Sequence, residues 1–200
     1  MASIEFVTLQ VADTAAAARF YSAAFGSDPR VRLRESQAQT TGFRGFTLSL
    51  VVSQPDTVDL LVGSALEAGG TSLKQAAKSL WGYGGAVQAP DGTILTVASS
   101  AKKNTGPASR QIDELVLQLG VADVSASKRF YADRGLEVAQ SYGRRYVEFE
   151  SGPVKLALYK RRALAKLAGV PAQGSGSHRM AVGSEAGPFT DPDGFVWEPA

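Results

Sequence analysis

Two hundred residues with 44% hydrophobic and 20% charged side chains describe a folded chain with room for one sizeable core or two small ones. A formal charge of +2, with Lys and Arg scattered apart from Lys160-Arg161-Arg162, argues against a nucleic-acid partner, which would favour a basic stripe interleaved with aromatics. The absence of cysteine excludes disulfides, thiolate nucleophiles and Cys-ligated zinc. No apolar run approaches the roughly 20 residues that span a bilayer, and Met1-Ala2-Ser3-Ile4-Glu5 carries no signal-peptide pattern. A cytoplasmic protein without a membrane partner is therefore the expectation.

In chain order, residues 4–11 are rich in β-branched and aromatic side chains and predict a strand. Asp13 stands at a helix N-cap position, where its carboxylate can accept a free backbone N–H. The helix runs from Thr14 to about Phe25, with Ala16, Phe20 and Ala24 on one face and Gly26 as its stop. A short strand over 31–34 leads into a polar stretch, 35–42, that reads as loop, and 46–52 reads as a strand. Pro55-Asp56 opens a second helix ending at Gly69-Gly70, its buried face being Leu60, Leu61, Ala65 and Leu66. A glycine-rich segment, Trp81-Gly82-Tyr83-Gly84-Gly85, precedes the tight-turn sequence Pro90-Asp91-Gly92 and a strand through Thr96. Residues 101–110 are polar and aperiodic and read as a linker.

Past that linker the plan restarts. Val121-Ala122-Asp123 repeats Val11-Ala12-Asp13, and Arg129-Phe130-Tyr131 repeats Arg19-Phe20-Tyr21 at the same offset. The second turn, Asp191-Pro192-Asp193-Gly194, comes sooner than that offset requires, so the second copy is the shorter. Strands are expected over 115–121, 138–141, 146–150 and 154–159, with a helix over 162–168, a Gly/Ser-rich loop over 173–177 and a strand over 178–182. A repeat of this length is too long for a solenoid unit and predicts duplicated domains, 1–100 and 111–200.

A strand, then Val-Ala-Asp, then a helix carrying Arg-Phe-Tyr, closed far downstream by Asp191-Pro192-Asp193-Gly194 and a strand ending in Glu198, resembles the vicinal oxygen chelate superfamily. Its members include glyoxalase I, extradiol dioxygenases and bleomycin-resistance proteins. The resemblance covers essentially the whole chain and implies an α+β fold: two tandem glyoxalase-like domains built of βαβββ modules, whose curved mixed sheets enclose clefts. The first copy is short of the middle strands of its first module, and the second is short of the helix of its last.

In metal-using members, ligands sit at the starts of first strands and the ends of last strands. Carried over, the resemblance points to His178 and Glu198, both competent ligands for Zn, Ni, Mn or Fe(II). The other implied positions hold Phe6, Thr47 and Thr96 in the first copy, and Val116 (with Glu114 beside it) and Ala157 in the second. Two protein ligands are too few for a dedicated catalytic metal, which keeps three. The preferred reading is therefore metal-free, with His178 bonded to a neighbour and Glu198 meeting Arg179 or another cation. The only histidine, His178, is the best candidate for proton transfer near neutral pH, and Glu198 is retained beside it as a catalytic candidate. A metal-free cleft would hold a small, apolar or aromatic molecule between aromatic walls; the candidates are Trp81, Tyr83, Tyr146, Tyr159 and Trp197, with Arg144 for an anionic group. The expected function is such small-molecule binding with no cofactor. The alternative is a metal-dependent lyase, isomerase or dioxygenase using a divalent ion at His178 and Glu198. Whether a reaction is catalysed is left open, as is the choice between monomer and homodimer.

Overall fold

The computed structural model describes residues 2–80 and 82–200; Trp81, expected at a ligand site, lies outside the described residues. The first segment supplies β1 (Ile4–Val11), α1 (Thr14–Phe25), β2 (Val31–Glu35) and a short β3 (Thr40–Gly42). A complete βαβββ unit follows: β4 (Phe46–Val51), α2 (Pro55–Glu67), β5 (Thr71–Ser79), β6 (Gly82–Gln88) and β7 (Ile94–Ser99). Residues 101–110 carry no helix or strand. A second complete unit comprises β8 (Glu114–Val121), α3 (Val124–Ala132), β9 (Glu137–Tyr142), β10 (Tyr146–Glu150) and β11 (Val154–Lys160). The chain finishes with α4 (Arg161–Ala168), β12 (Gly174–Gly176), β13 (Met180–Ser184), β14 (Phe189–Thr190) and β15 (Val196–Pro199).

The two complete units share one eight-stranded sheet, ordered β5-β6-β7-β4-β8-β11-β10-β9, whose halves join where β4 pairs antiparallel with β8. The first and last segments share a five-stranded sheet, β14-β15-β13-β1-β2, joined where β1 pairs antiparallel with β13. Each sheet thus takes strands from both sides of residues 101–110. The five-stranded sheet stops at β2, where the larger sheet continues for two more strands beyond β7 and beyond β11.

Side-chain alternation decides which face of the large sheet is core, because successive strand residues point to opposite sides. On β8, Leu115, Leu117, Leu119 and Val121 are buried on one face, while Glu114, Val116, Gln118 and Gly120 occupy the other. The parallel neighbour β11 keeps the phase, with Leu156 beside Leu117 and Ala157 beside Gln118. The apolar faces of both sheets meet the inner faces of α1, α2 and α3 in one continuous core. No helix among the described residues is long and apolar enough to cross a membrane.

The helices begin as their caps require. Asp13 accepts from the N–H of Ala16 at 2.8 Å, and Asp123 accepts from Ser125 and Ala126 at 2.8 and 3.0 Å. Those two amide donors, aimed at the carboxylate, hold Asp123 below the ordinary aspartate range. Some expectations are corrected. The buried face of α1 is Ala17, Phe20, Ala24 and Phe25, with Ala16 exposed; that of α2 includes Val58, Leu61, Val62 and Ala65, leaving Leu66 outward. The polar stretch 35–42 contains β3, which pairs with β12. β5 has no counterpart in the sequence reading, because its side chains are nearly all exposed and give no apolar period. His178 precedes β13 rather than opening it.

Candidate functional site

The face of the eight-stranded sheet turned away from the core is a floor of small and polar side chains. Register places Thr47, Gln118, Ala157 and Glu148 in one row across β4, β8, β11 and β10, and Ser49, Thr96 and Val116 in a neighbouring row. Thr47 Oγ1 donates to Gln118 Oε1 at 2.7 Å, and Lys155 Nζ to Glu114 Oε1 at 2.7 Å. Tyr142, Tyr146 and Tyr159 form a third row at one end. Their rings touch in series across the strands: Tyr142 and Tyr146 are tilted with centroids 6.0 Å apart, and Tyr146 and Tyr159 meet edge to face at 4.9 Å. The Tyr146 hydroxyl donates to Glu148. Burial, and then that carboxylate, push the Tyr146 phenol well above its ordinary value, so it is a neutral donor at physiological pH.

Half of this floor is roofed. α4 lies over β8 and buries Leu164, Ala165 and Ala168 against Phe43 and Ile94, with Tyr159 packed at the margin of the cluster. Gly120 permits the approach, because a Cβ there would stand 3.0 Å from Arg161 Cα and 3.1 Å from the Gly45 carbonyl. What stays open is the tyrosine end, where Tyr142 is 59% exposed and Tyr146, Glu148 and Gln118 are half-buried.

The matching face of the five-stranded sheet is filled. The Phe6 ring occupies the space above Gly183, its partner across the β1–β13 pair, and Arg32 lies over the same ring at 3.3 Å. Glu198, beside Gly183 on β15, accepts from both terminal nitrogens of Arg34 on β2, at 2.6 and 2.7 Å. Those bonds lower the Glu198 carboxyl and raise the Arg34 guanidinium.

His178 stands elsewhere. Glu198 aligns with Gly183 near the end of β13, whereas His178 precedes the start of that strand and is followed by Arg179 in a left-handed backbone conformation. The imidazole stacks on Phe195 at 3.9 Å, with Nδ1 against the Arg44 carbonyl and Nε2 3.0 Å from that of Asp193. Each ring nitrogen therefore faces a backbone carbonyl, to which it donates when it carries the proton, and the Asp193 contact ties the imidazole to the second Pro-Asp-Gly turn. Among the described residues no three His, Cys, Asp or Glu side chains come together as a set that could hold a metal ion. The two expected ligands do not converge: Glu198 is paired with the Arg34 guanidinium, and His178 stands against the carbonyls of Arg44 and Asp193.

The other expected residues divide. Tyr146 and Tyr159 meet on the open floor. Tyr83 is on the reverse face of its strand, where its hydroxyl donates to Asp59 of α2 at 2.8 Å. Trp197 is only 1% exposed and lies in the core between Phe189 and Tyr131, at 5.0 and 5.1 Å, so it is packing rather than a cleft wall. Arg144 is exposed in the β9–β10 turn. The sequence reading missed Glu148 and Tyr142, though Glu148 is two residues from Tyr146 and so shares its strand face. It also missed two analogous contacts: Tyr21 donates to Asp91, inside the first Pro-Asp-Gly turn, at 2.8 Å, and Tyr131 donates to buried Asp191, which immediately precedes the second. The tyrosine of each Arg-Phe-Tyr helix thereby holds a turn from the following module.

No protein-family model matches the sequence, and a comparison with curated proteins gives no match. Among solved structures, glyoxalase I from Zea mays aligns over 98% of this chain and 91% of its own, with a TM-score of 0.64 and 15% identity. A mutant form of the same enzyme gives a TM-score of 0.61 at 14% identity, over 98% of this chain and 92% of that one. A Bacillus subtilis protein provisionally described as a dioxygenase covers 96% of this chain and 71% of its own, with a TM-score of 0.56 and 13% identity. The chain has the glyoxalase fold.

Proposed function

We propose that the chain binds a small aromatic molecule on the open floor of the eight-stranded sheet without using a metal. The observation that carries this reading is the tyrosine row, Tyr142, Tyr146 and Tyr159, half-open beside the polar groups of Glu148 and Gln118. Tyrosine rings offer apolar area at small conformational cost, and an aromatic ligand can stack or meet them edge-on. Glu148 and Gln118 supply the few fixed polar groups that orient a ligand on such a surface. Its metal independence is supported by the residues at the family's ligand positions, where Thr47, Thr96, Val116 and Ala157 replace the donors a divalent ion needs.

The floor is completed within one chain, because β4 meets β8 intramolecularly. A monomer is accordingly the proposed state.

A ligand-observed NMR screen of one-ring aromatic fragments, run in EDTA, tests the proposal. Saturable binding weakened at least tenfold by Tyr146→Ala is expected. Binding that needs an added divalent ion and disappears in His178→Ala would overturn it.

A further inference from the structure

On the reverse of the same sheet the core is not closed. A cavity of 350 Å³ lies between α1, β2 and the inner faces of β4 and β7. Its depth is formed by Phe25, Leu48, Leu50 and Leu95, all buried, and its flank by the half-buried Val31 and Leu33. Leu48 and Leu50 alternate with Thr47 and Ser49 along β4, so cavity and floor are on opposite sides of one strand.

Topology accounts for the opening. Each complete module extends its sheet two strands past the one parallel to its first strand, whereas the first module stops at β2. Its next strand, β3, leaves to pair with β12. The outer edge of β2 thus has no paired strand among the described residues, and the apolar space beneath it reaches the surface.

Polarity narrows the occupant. The charged and phenolic groups at the rim already have partners: Asp28 is held by Arg30 through bonds of 2.7 and 2.9 Å, and Tyr21 gives its hydroxyl to Asp91. Exposed Ser22 and Ser27 stand at the mouth. A buried charge without a partner is costly, so such a space suits a neutral guest. An apolar cavity of about 150 Å³ accommodates benzene, and this one is roughly twice that size.

We propose that the cavity beneath β2 is a second binding site, taking neutral, mainly apolar molecules of one or two rings with a single polar substituent directed to the mouth. It does not depend on the tyrosine floor: either site can fail alone.

The test is a titration of the full chain, carrying ¹³C-labelled Leu, Val and Ile methyls, with 1-naphthol. Saturable shifts and ligand NOEs to Val31, Leu33, Leu48, Leu50 and Leu95 are expected, with at least tenfold weaker binding in Val31→Trp. A naphthalene sulfonate of the same ring size should bind at least tenfold more weakly. Absence of saturable binding, NOEs confined to Val116 on the floor, or equal affinity for the sulfonate would overturn the proposal. The NOEs decide the matter in the wild-type protein even if Val31→Trp fails to fold.

Discussion

Glu198 accepts with both carboxylate oxygens from the guanidinium of Arg34, at 2.6 and 2.7 Å, across the five-stranded sheet. The geometry is the paired fork of a carboxylate–guanidinium contact. It converts the one acidic residue at the end of a last strand into a clasp between β2 and β15.

The clasp is partly exposed, so its stabilisation is modest, no more than about 1 kcal/mol. Arg34 holds Glu198 below its ordinary value, so the native state binds this proton less readily than the unfolded chain. The contribution is therefore present above the unfolded carboxyl value, about 4.3, and is lost as pH falls through the lower folded value. Arg34→Ala should return the Glu198 carboxyl toward its ordinary range in a ¹³C NMR titration. An unchanged titration would show that Arg34 is not its partner in solution.

Tyr131→Phe removes the hydroxyl that donates to buried Asp191 and should destabilise the fold by about 1–3 kcal/mol in guanidinium unfolding. Burial is the main reason the Asp191 carboxyl is raised, and the Tyr131 hydroxyl opposes it. Losing that donor raises the carboxyl further. A raised folded value means stability falls as pH climbs through it, so the deficit should be larger at pH 7 than at pH 4. A pH-independent deficit would point to lost packing instead.

Gly120→Ala places a methyl against the backbone of Arg161 and the Gly45 carbonyl, neither of which can yield like a flexible side chain. Overpacking of this kind costs about 1–3 kcal/mol. The expected readout is faster hydrogen exchange across α4, with β9–β11 unaffected. Uniform protection would mean that α4 is not pressed on the sheet at this point.

Because both sheet junctions, β4 with β8 and β1 with β13, form within one chain, light scattering should return the monomer mass of 21.0 kDa across a wide concentration range. A concentration-dependent rise to twice that mass would show that the pairing is also exchanged between chains.

Much of the fold was legible because it rests on local rules. Asp13 and Asp123 cap helices as their positions predict, and the alternation through Leu115, Leu117 and Leu119 names the core face of β8. The repeat of Val-Ala-Asp and Arg-Phe-Tyr marked the modules, though not that sheets join the outer segments together and the inner units together. β5 escaped because an exposed edge strand such as Thr71–Ser79 has no apolar period to detect. Of the aromatic candidates, Tyr146 and Tyr159 lie on the adjacent strands β10 and β11 and their rings meet on the face turned from the core. Trp197 and Tyr83 lie on the core side of their strands, a phase that a short aromatic run does not reveal. The separation of His178 from Glu198 depends on where β13 starts, and the cavity under β2 on side chains from distant segments.

Metal uptake tests the central claim most directly. The purified chain, incubated separately with Zn, Ni, Mn and Fe(II) and then desalted, should retain no stoichiometric metal, and its aromatic-fragment binding should be the same in EDTA. Retention of about one ion per chain, abolished by His178→Ala or Glu198→Gln, would contradict the account and return those two residues to a metal centre.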